Sequence, residues 1–220
     1  LDLSRPRPDI DAVAICSPPE THLEYLRAAI AHGLHVFCEK PMVWPADQNP
    51  AAFDAMIDSL SEALGEAAAR NLTVHENTQW VYTLADFRRI AGDIQPDEVT
   101  HFRCEMSPST ANPAEMTMES SAHGNSLLIA LGCGGDIEDL SVRFEPAGPD
   151  RAASLEFTFR ARTPSGGAVR VEYCFAQQTS QPRHAAYEVN HRRVERRVDV
   201  DGHRIFLRFN SEEHAIGDPL

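Results

Sequence analysis

Asp11-Ala12-Val13-Ala14-Ile15-Cys16 and Leu34-His35-Val36-Phe37-Cys38-Glu39-Lys40-Pro41 are the two stretches that decide the fold. Both contain a short apolar run, which is typical of strands that are covered on both faces of a parallel sheet. Between them, apolar residues recur at spacings of three and four over residues 23–30, and Gly33 follows as a C-terminal cap, so a helix is predicted. A strand, a helix and a strand in this order form a right-handed crossover in nearly all proteins, so the strands are predicted to be parallel.

Polar residues directly follow each predicted strand. Ser17 and Pro18 follow the first strand and suit the N-cap and the first position of the helix. Glu39 and Lys40 follow the second strand. Because ligands of open α/β sheets bind at the carboxyl ends of the strands, this lysine is placed where chemistry is expected. For the tripeptide Glu39-Lys40-Pro41 taken alone, the alternative interpretation is a surface loop.

A second helix and a third strand extend the same pattern. Asn49-Pro50 predicts the start of a helix, and an apolar stripe over residues 53–64 supports it. Residues 72–75 then predict a strand that delivers Glu76-Asn77-Thr78-Gln79-Trp80 to the same rim of the sheet. We therefore predict an α/β domain over residues 1–92 that is part of a Rossmann-type parallel sheet.

The remaining residues, 93–220, predict a second domain of the α+β class with a mostly antiparallel sheet. Its first strand is expected at residues 99–106, and a helix is expected from about Ser120 to Leu131. Residues 107–120 are rich in Ser, Thr, Pro and Met and predict a loop over a cleft. Further strands are predicted at residues 154–162, 168–176, 185–200 and 204–209, with hairpin turns at residues 164–167 and 201–202.

Charge and cysteine content limit the classes of partner. A formal net charge of −13 argues against nucleic acid and against anionic membranes. The sequence has no apolar run of membrane length. Its five cysteines are odd in number and form no Cys-x-x-Cys pair, so we expect reduced core residues in a cytoplasmic protein.

Residues 11–19, His22 and residues 31–41 resemble the second half of the nucleotide domain of the Gfo/Idh/MocA oxidoreductases, the relatives of glucose–fructose oxidoreductase and inositol dehydrogenase. The resemblance is strongest over residues 9–45, looser to about residue 140 and only architectural beyond. It implies an enzyme that uses NAD or NADP and transfers hydride to or from a sugar, cyclitol or related polyol. It also implies a homo-oligomer that forms through the open face of the C-terminal sheet, which we expect to be apolar.

One part of the family pattern does not occur in these 220 residues. The family's nucleotide domain opens with a Gly-x-Gly-x-x-Gly/Ala turn, where the backbone approaches the pyrophosphate. Gly132-Cys133-Gly134-Gly135 follows an apolar helical run instead and predicts a helix end and a turn. We therefore expect a fragment or a truncated gene product. The alternative is a natural protein that has lost dinucleotide binding and serves as a non-catalytic binding or regulatory protein on the same scaffold.

The resemblance assigns catalytic roles to Lys40, Glu119 and His123. The family places Asp-x-x-x-His on a helix that faces the nicotinamide, and here Glu119 and His123 occupy those positions, with a carboxylate that is one methylene longer. His123 would take the hydroxyl proton, and the Lys40 ammonium would stabilise the developing alkoxide. The alternative for His123 is a histidine at a helix start that bonds to the backbone.

Cofactor and substrate contacts are assigned on the same basis. The residues expected to bind the cofactor are Ser17, Pro18, His22, Glu39, Lys40 and Asn77. Glu39 would bind ribose hydroxyls, while His22 is structural or cofactor-adjacent rather than catalytic. Gln79 and Trp80 are expected to contact the substrate, and the alternative for Trp80 is a place in the core. The other nine histidines show no spacing typical of metal ligands, so no metal is expected.

Overall fold

A computed structural model of the protein describes residues 10–47, 49–198, 205–209 and 212–216. The chain divides into two units, Leu1–Thr78 and Gln79–Leu220. The first contains a parallel sheet and the second a mixed, mostly antiparallel sheet, so the predicted fold class is confirmed.

Within residues 10–47 and 49–78, the first unit is a three-stranded parallel sheet with two helices. Its strands are β1 (Ala12–Ile15), β2 (His35–Glu39) and β3 (Val74–Asn77), and they pair in that order. Helix α1 (His22–Ala31) connects β1 to β2, and α2 (Pro50–Ala69) connects β2 to β3. The core of this unit consists of buried residues from the sheet and both helices: Ile15, Leu26, Ala29, Ile30, Leu34, Val36, Cys38, Ala63 and Ala67.

The two helices of this unit begin differently. Helix α2 begins as predicted, since the Asn49 side chain accepts a hydrogen bond from the Ala52 amide at 2.9 Å. Ser17 was predicted to cap α1, and this was wrong: a single 3₁₀ turn over Pro19–Thr21 precedes the helix. The reason is that Pro18 is itself followed by a proline, which disfavours the helical conformation; Pro18 is extended, with φ −58° and ψ 141°.

The second unit is built on an eight-stranded sheet with two helices. Its strands run in the order β11-β10-β9-β8-β4-β7-β6-β5; β4 and β7 pair in parallel and the other neighbours are antiparallel. The helices are α3 (Thr83–Ala91) and α4 (Pro113–Ala130). Single 3₁₀ turns lie at Gln79–Tyr82 and Pro96–Glu98. The strands are β4 (His101–Met106), β5 (Gly134–Glu145), β6 (Ser154–Arg162), β7 (Ala168–Ala176), β8 (Ala185–Val189), β9 (Arg192–Val198), β10 (Ile205–Phe209) and β11 (Glu212–Ile216).

The predicted domain boundary at residue 92 differs from the observed division after Thr78. Helix α3 was assigned to the first domain, but Leu84 and Phe87 are buried in the core of the second unit. The Phe87 ring lies 5.8 Å from the ring of Tyr187 on β8. The turn signal at residues 92–97 is therefore a connection within the second unit.

Helix α4 is longer than its sequence indicated. Residues 113–119 were predicted as part of a loop, but they form the first two turns of α4. Asn112 caps them, because its side-chain oxygen accepts hydrogen bonds from the amides of Ala114 (2.9 Å) and Glu115 (3.3 Å), and Pro113 suits the first position. His123 consequently lies inside the helix, not at its start.

Residues 185–200 were predicted as one strand, and this was also wrong. They contain the hairpin β8–β9, whose turn places Asn190 and His191 at φ 48° and 65°. Asparagine adopts this left-handed conformation more readily than most residues, but glycine is the usual signal for it and is absent here.

Strand β5 was not predicted, because two register shifts around Asp139 interrupt its alternation. The predicted turn at residues 201–202 lies outside the described residues.

The two faces of the second sheet differ in chemistry. Val171, Tyr173 and Phe175 face the core and are at most 3% exposed. The opposite face of β4, β7, β8 and β9 carries charged side chains, so the expected apolar open face was wrong for these strands. Glu105 is representative: hydrogen bonds from His184, Arg193 and Arg103 hold the pKa of its carboxyl well below the usual range, against the effect of burial.

Gly124 in α4 provides a test of the helix–sheet packing. A Cβ at this position would lie 2.7 Å from Cζ of Tyr173, whose hydroxyl donates a 2.7 Å hydrogen bond to Asn125 and cannot move freely. Gly124→Ala is therefore expected to lower the free energy of unfolding by about 1–3 kcal/mol. Gly65→Ala in α2 is the matched control: its Cβ meets nothing within 4 Å, so it should raise that free energy by roughly 1 kcal/mol. Urea unfolding of both variants measures the difference, and stabilisation by both would contradict the close contact.

Candidate functional site

The carboxyl ends of the first unit's three strands meet at one edge. Ile15 pairs with Cys38, and Glu39 pairs with Asn77, so the residues after each strand emerge at the same rim. This rim carries Ser17 after β1, Lys40 after β2 and Thr78 after β3. The location follows from parallel pairing and matches the place where open α/β sheets bind ligands.

A direct hydrogen bond connects two of the residues assigned to the cofactor. The Asn77 side-chain nitrogen donates to Oε1 of Glu39 at 2.6 Å. Both residues are half-buried at the ends of neighbouring strands. The contact restricts the rotamer of the Glu39 carboxylate while its other oxygen can still accept hydrogen bonds from a ligand.

The His22 side chain connects two of the loops at the rim. Its ring is fully buried, with Nε2 2.7 Å from the Ser17 carbonyl oxygen and Nδ1 2.9 Å from the Pro41 carbonyl oxygen. The ring thus bridges the loop after β1 and the loop after β2, and the assignment of His22 to the cofactor stays a prediction. Pro18 lies in the first of these loops and is exposed. The hydroxyl of its neighbour Ser17 is 2.6 Å from that of Thr21.

Lys40 stands in a segment that is fixed on both sides. Before it, Glu39 is paired with Asn77, and after it, the Met42 amide donates a 2.7 Å hydrogen bond to the Glu76 carboxylate. This anchoring role of Glu76 was not predicted, although its place on β3 next to Asn77 was the available signal. Lys40 itself is partly exposed. It is also the single lysine of the chain, which contains nineteen arginines.

Cys38 precedes the rim but is not suited to act as a nucleophile. It is buried, and burial, followed by the charges of Glu76 and Glu39, raises the pKa of its thiol to about 12. The thiol therefore stays protonated at neutral pH, and a thiolate is the reactive form. Within this segment, Lys40 and Glu39 are the groups available for chemistry.

Glu119 and His123 lie one turn apart on α4 in the second unit. Glu119 accepts hydrogen bonds from the amide and hydroxyl of Ser109, each at 3.0 Å, and from Arg183 at 3.2 Å. The carboxylate thus anchors the segment before α4. His123 is 9% exposed. The catalytic assignments of both residues stay predictions.

Gln79 and Trp80 open the second unit in a 3₁₀ turn. Trp80 is 5% exposed and meets the ring of Tyr187 edge-on at 6.1 Å, so packing in the core accounts for this position. Gln79 is partly exposed. Because Lys40 belongs to the first unit and His123 to the second, their action on one substrate stays a prediction.

Residues 2–70 match the model of the GFO_IDH_MocA family, described as an oxidoreductase family with an NAD-binding Rossmann fold. Two similar proteins are D-xylose 1-dehydrogenase (NADP(+)) 2 of Haloferax volcanii, 46% identical over 50 residues, and inositol 2-dehydrogenase of Pseudomonas savastanoi pv. phaseolicola, 52% identical over 40 residues. These alignments cover 23% and 18% of this chain. The predicted resemblance to the Gfo/Idh/MocA family is confirmed for this segment.

Solved structures extend the similarity of fold over most of the chain. UDP-N-acetylglucosamine 3-dehydrogenase GnnA from Acidithiobacillus ferrooxidans matches 94% of this chain with a TM-score of 0.60 and 17% identity. Scyllo-inositol dehydrogenase from Lactobacillus casei, solved with NAD(H) and scyllo-inositol, matches 89% with a TM-score of 0.62 and 14% identity. At such low identity these matches establish the fold alone.

The chain spans only part of these proteins. It covers 64% of the GnnA chain and 63% of the scyllo-inositol dehydrogenase chain. The sequence alignments cover 15% of the xylose dehydrogenase and 12% of the inositol dehydrogenase. Across the part of the chain that the structure describes, we find no helix with the length and apolar character needed to cross a membrane.

Proposed function

We propose that this chain belongs to an NAD(P)-dependent oxidoreductase that transfers hydride between a nicotinamide cofactor and a sugar, cyclitol or related polyol. The observation that carries the proposal is the family match over residues 2–70, within which Glu39 and Lys40 stand at the carboxyl rim of the sheet. The sequence relatives act on xylose and inositol by their names, which gives the substrate class.

The residues divide the chemistry between them. Oxidation of an alcohol requires a base for the hydroxyl proton and stabilisation of the developing alkoxide. We assign the first task to His123 and the second to Lys40, with Gln79 contacting the substrate and Glu119 setting the position of the helix segment that carries His123. When bound, the nicotinamide supplies the hydride acceptor.

The rim also fits the nicotinamide half of a dinucleotide. A carboxylate is a suitable acceptor for ribose hydroxyls, and Asn77 restrains the Glu39 carboxylate at 2.6 Å. Ser17 and Pro18 would border the cofactor, and His22 would hold their loop in place through its contacts with Ser17 and Pro41. The donor set of the rim is therefore consistent with NAD or NADP.

The rarity of lysine in this chain supports a chemical role for Lys40. Nineteen arginines supply positive charge elsewhere, and arginine would serve at residue 40 if charge alone were needed. A lysine differs because its compact ammonium is a point donor and because it can give up a proton, whereas arginine stays charged. The single lysine of the sequence therefore lies at the carboxyl rim of the sheet.

We further propose that the protein is a cytoplasmic homo-oligomer that assembles through the open face of the second sheet. All five cysteines are free thiols in the structure, which is typical of a reducing compartment. The charged open face would pair through complementary arginines and glutamates rather than through apolar area. Light scattering at micromolar concentrations tests the oligomer, and a monomeric mass throughout would contradict it.

A turnover assay tests the proposed reaction. The intact gene product that contains these residues is mixed with NAD+ or NADP+ and a panel of D-xylose, myo-inositol, scyllo-inositol and levoglucosan, and formation of the reduced nicotinamide is followed by absorbance. We expect turnover with at least one polyol and one of the two cofactors. Absence of both cofactor binding and turnover would favour the non-catalytic alternative, and cofactor binding without turnover on any polyol would overturn the proposed reaction.

A further inference from the structure

Two histidines and a glutamate meet on the second sheet at the beginning of β4. Candidate ligand atoms of His101, Glu188 and His191 all lie within 4.8 Å of one another. The two imidazole rings are stacked, with centroids 5.1 Å apart and an interplanar angle of 20°. All three residues belong to the second unit and lie outside the rim described above.

The spacing of these atoms matches one edge of a metal coordination site. Oε1 of Glu188 lies 3.6 Å from Nδ1 of His101 and 3.3 Å from Nδ1 of His191. Two ligands at about 2.0–2.1 Å from a tetrahedral zinc ion are separated by roughly 3.3 Å. Both observed separations are close to this value, and at 3.6 Å the contact of His101 is longer than an ordinary hydrogen bond.

His101 has the environment of a metal-binding histidine. Its Nδ1 is buried and has no hydrogen-bond partner among the described residues. Its other nitrogen, Nε2, lies 3.9 Å from the carboxylate of Glu172. Metal-binding histidines commonly direct the second nitrogen toward a carboxylate, which leaves the first nitrogen unprotonated for the ion. Glu172 is in turn held by Arg103 at 3.0 Å and Arg170 at 2.8 Å.

The hairpin that carries the other two ligands is fixed against β4. Asn190 accepts hydrogen bonds from the amides of Thr100 (2.9 Å) and His101 (3.1 Å), and its side-chain nitrogen donates to the Glu98 carbonyl at 2.6 Å. The Asn190 amide also donates to the His101 carbonyl at 3.0 Å. These bonds hold the turn between Glu188 and His191 next to His101, so the three side chains are brought together before any ion binds.

We propose that His101, Glu188 and His191 bind a divalent transition-metal ion such as Zn2+. Two imidazoles and one carboxylate are a ligand set that suits Zn2+, and three protein ligands leave one position for water. In the single chain that position would face solvent, because the His191 side chain is 84% exposed while those of His101 and Glu188 are 16% and 18% exposed. The ion would fasten the β8–β9 hairpin to the start of β4.

The competing description is a cluster without metal, in which protonated histidines pair with Glu188 and Glu172. Arginines 103, 170 and 193 border the same surface, and they are opposed by Glu105, Glu172 and Glu188. The positive charges of the three arginines therefore balance the negative charges of the three glutamates. Among the described residues, the ion pairs of Glu188 are with the two histidines, whereas Glu172 is occupied by arginines. Glu188 is thus the carboxylate available to a cation, which favours the metal site.

Metal titration of the purified protein, first stripped with a chelator, tests the proposal. Zn2+ binding is measured by calorimetry, and Co2+ is used as a spectroscopic probe because its visible bands report ligand geometry. We expect one site with micromolar or tighter affinity. Glu188→Gln and His101→Ala should each weaken this site at least about 100-fold, and Glu172→Gln about 10-fold, through the orientation of His101.

His184→Ala is the matched control, because His184 directly precedes β8 of the same sheet and pairs with Glu105 instead. It should leave the high-affinity Zn2+ and Co2+ site unchanged, and circular dichroism should show that every variant is folded. Millimolar Zn2+ affinity of the unaltered protein would overturn the proposal. The same conclusion would follow if His101→Ala and His184→Ala weakened binding equally, since that would indicate non-specific binding to surface histidines.

Discussion

Replacement of Lys40 by alanine is expected to lower kcat of the proposed dehydrogenase reaction by about 10²- to 10⁴-fold, the range observed when a catalytic acid, base or charge-stabilising donor is removed. The side chain lies at the end of β2 in a segment that the Glu39–Asn77 and Met42–Glu76 hydrogen bonds hold in place. Neither of these two bonds involves the Lys40 side chain, so the variant keeps both, and urea unfolding should show that it is still folded. Steady-state kinetics and urea unfolding measure the two effects separately.

Lys40→Arg tests whether a positive charge at residue 40 is sufficient, and Arg27→Ala tests whether loss of an exposed cation elsewhere lowers turnover. Lys40→Arg keeps a positive charge but replaces the compact ammonium by a planar guanidinium, so it should restore little of the lost turnover. Arg27→Ala removes an exposed cation of the same unit that pairs with Glu62 at 3.3 Å, and it should leave kcat unchanged. Near-normal turnover of Lys40→Ala would show that Lys40 is structural, and loss of turnover in Arg27→Ala would show that the assay reports general damage.

The single lysine allows an independent check. Within residues 1–220, the Lys40 side chain is the only side-chain amine that an amine-reactive reagent can modify, since this stretch contains no other lysine. Mass spectrometry then reports the modified fraction of Lys40 with and without cofactor. Protection by NAD or NADP would place the lysine at the cofactor. This readout does not depend on turnover.

The parallel sheet of the first unit could be predicted because each of its elements carries a local signal. The apolar runs, the Asn49-Pro50 start and Gly33 are all readable from the sequence, and parallel pairing then forces Glu39 and Asn77 to the same edge. The bond between these two side chains could not be predicted, since it depends on register. The 3₁₀ turn before α1 was not predicted. It results from the consecutive prolines Pro18 and Pro19, because Pro19 disfavours the helical conformation at Pro18.

The second unit was harder to predict because long-range packing decides its elements. The Ser- and Met-rich segment at residues 113–119 has weak helical signals, and the Asn112 cap and its packing on the sheet make it helical. The Asn190-His191 turn lacks glycine, and it is stabilised instead by hydrogen bonds to Thr100 and Glu98 from a distant part of the chain. The His101–Glu188–His191 cluster depends on the same contacts, so the spacing of the histidines gave no indication of it.

The second large effect concerns cofactor affinity. Residues 1–220 contain no Gly-x-Gly-x-x-Gly/Ala turn, so the helix terminus that normally receives the pyrophosphate is not supplied by this polypeptide. Each charge-assisted hydrogen bond to a phosphate contributes about 1.5–3 kcal/mol. Losing two of them amounts to about 3–6 kcal/mol, which weakens binding roughly 10²- to 10⁴-fold. We therefore expect this polypeptide to bind NAD or NADP with millimolar affinity or weaker.

Nicotinamide mononucleotide is the probe that makes this expectation specific. It retains the nicotinamide ribose that Glu39 would bind but lacks the adenosine half, so the 220-residue polypeptide should bind it about as weakly as NAD. Glu39→Ala should abolish what binding remains for both ligands. If the gene encodes residues before Leu1, the longer protein should prefer NAD over the mononucleotide by a large factor. Micromolar NAD binding by residues 1–220, measured by calorimetry, would mean that another group in this chain holds the pyrophosphate. The rim of β1–β3 would then contribute to binding more of the cofactor than its nicotinamide half.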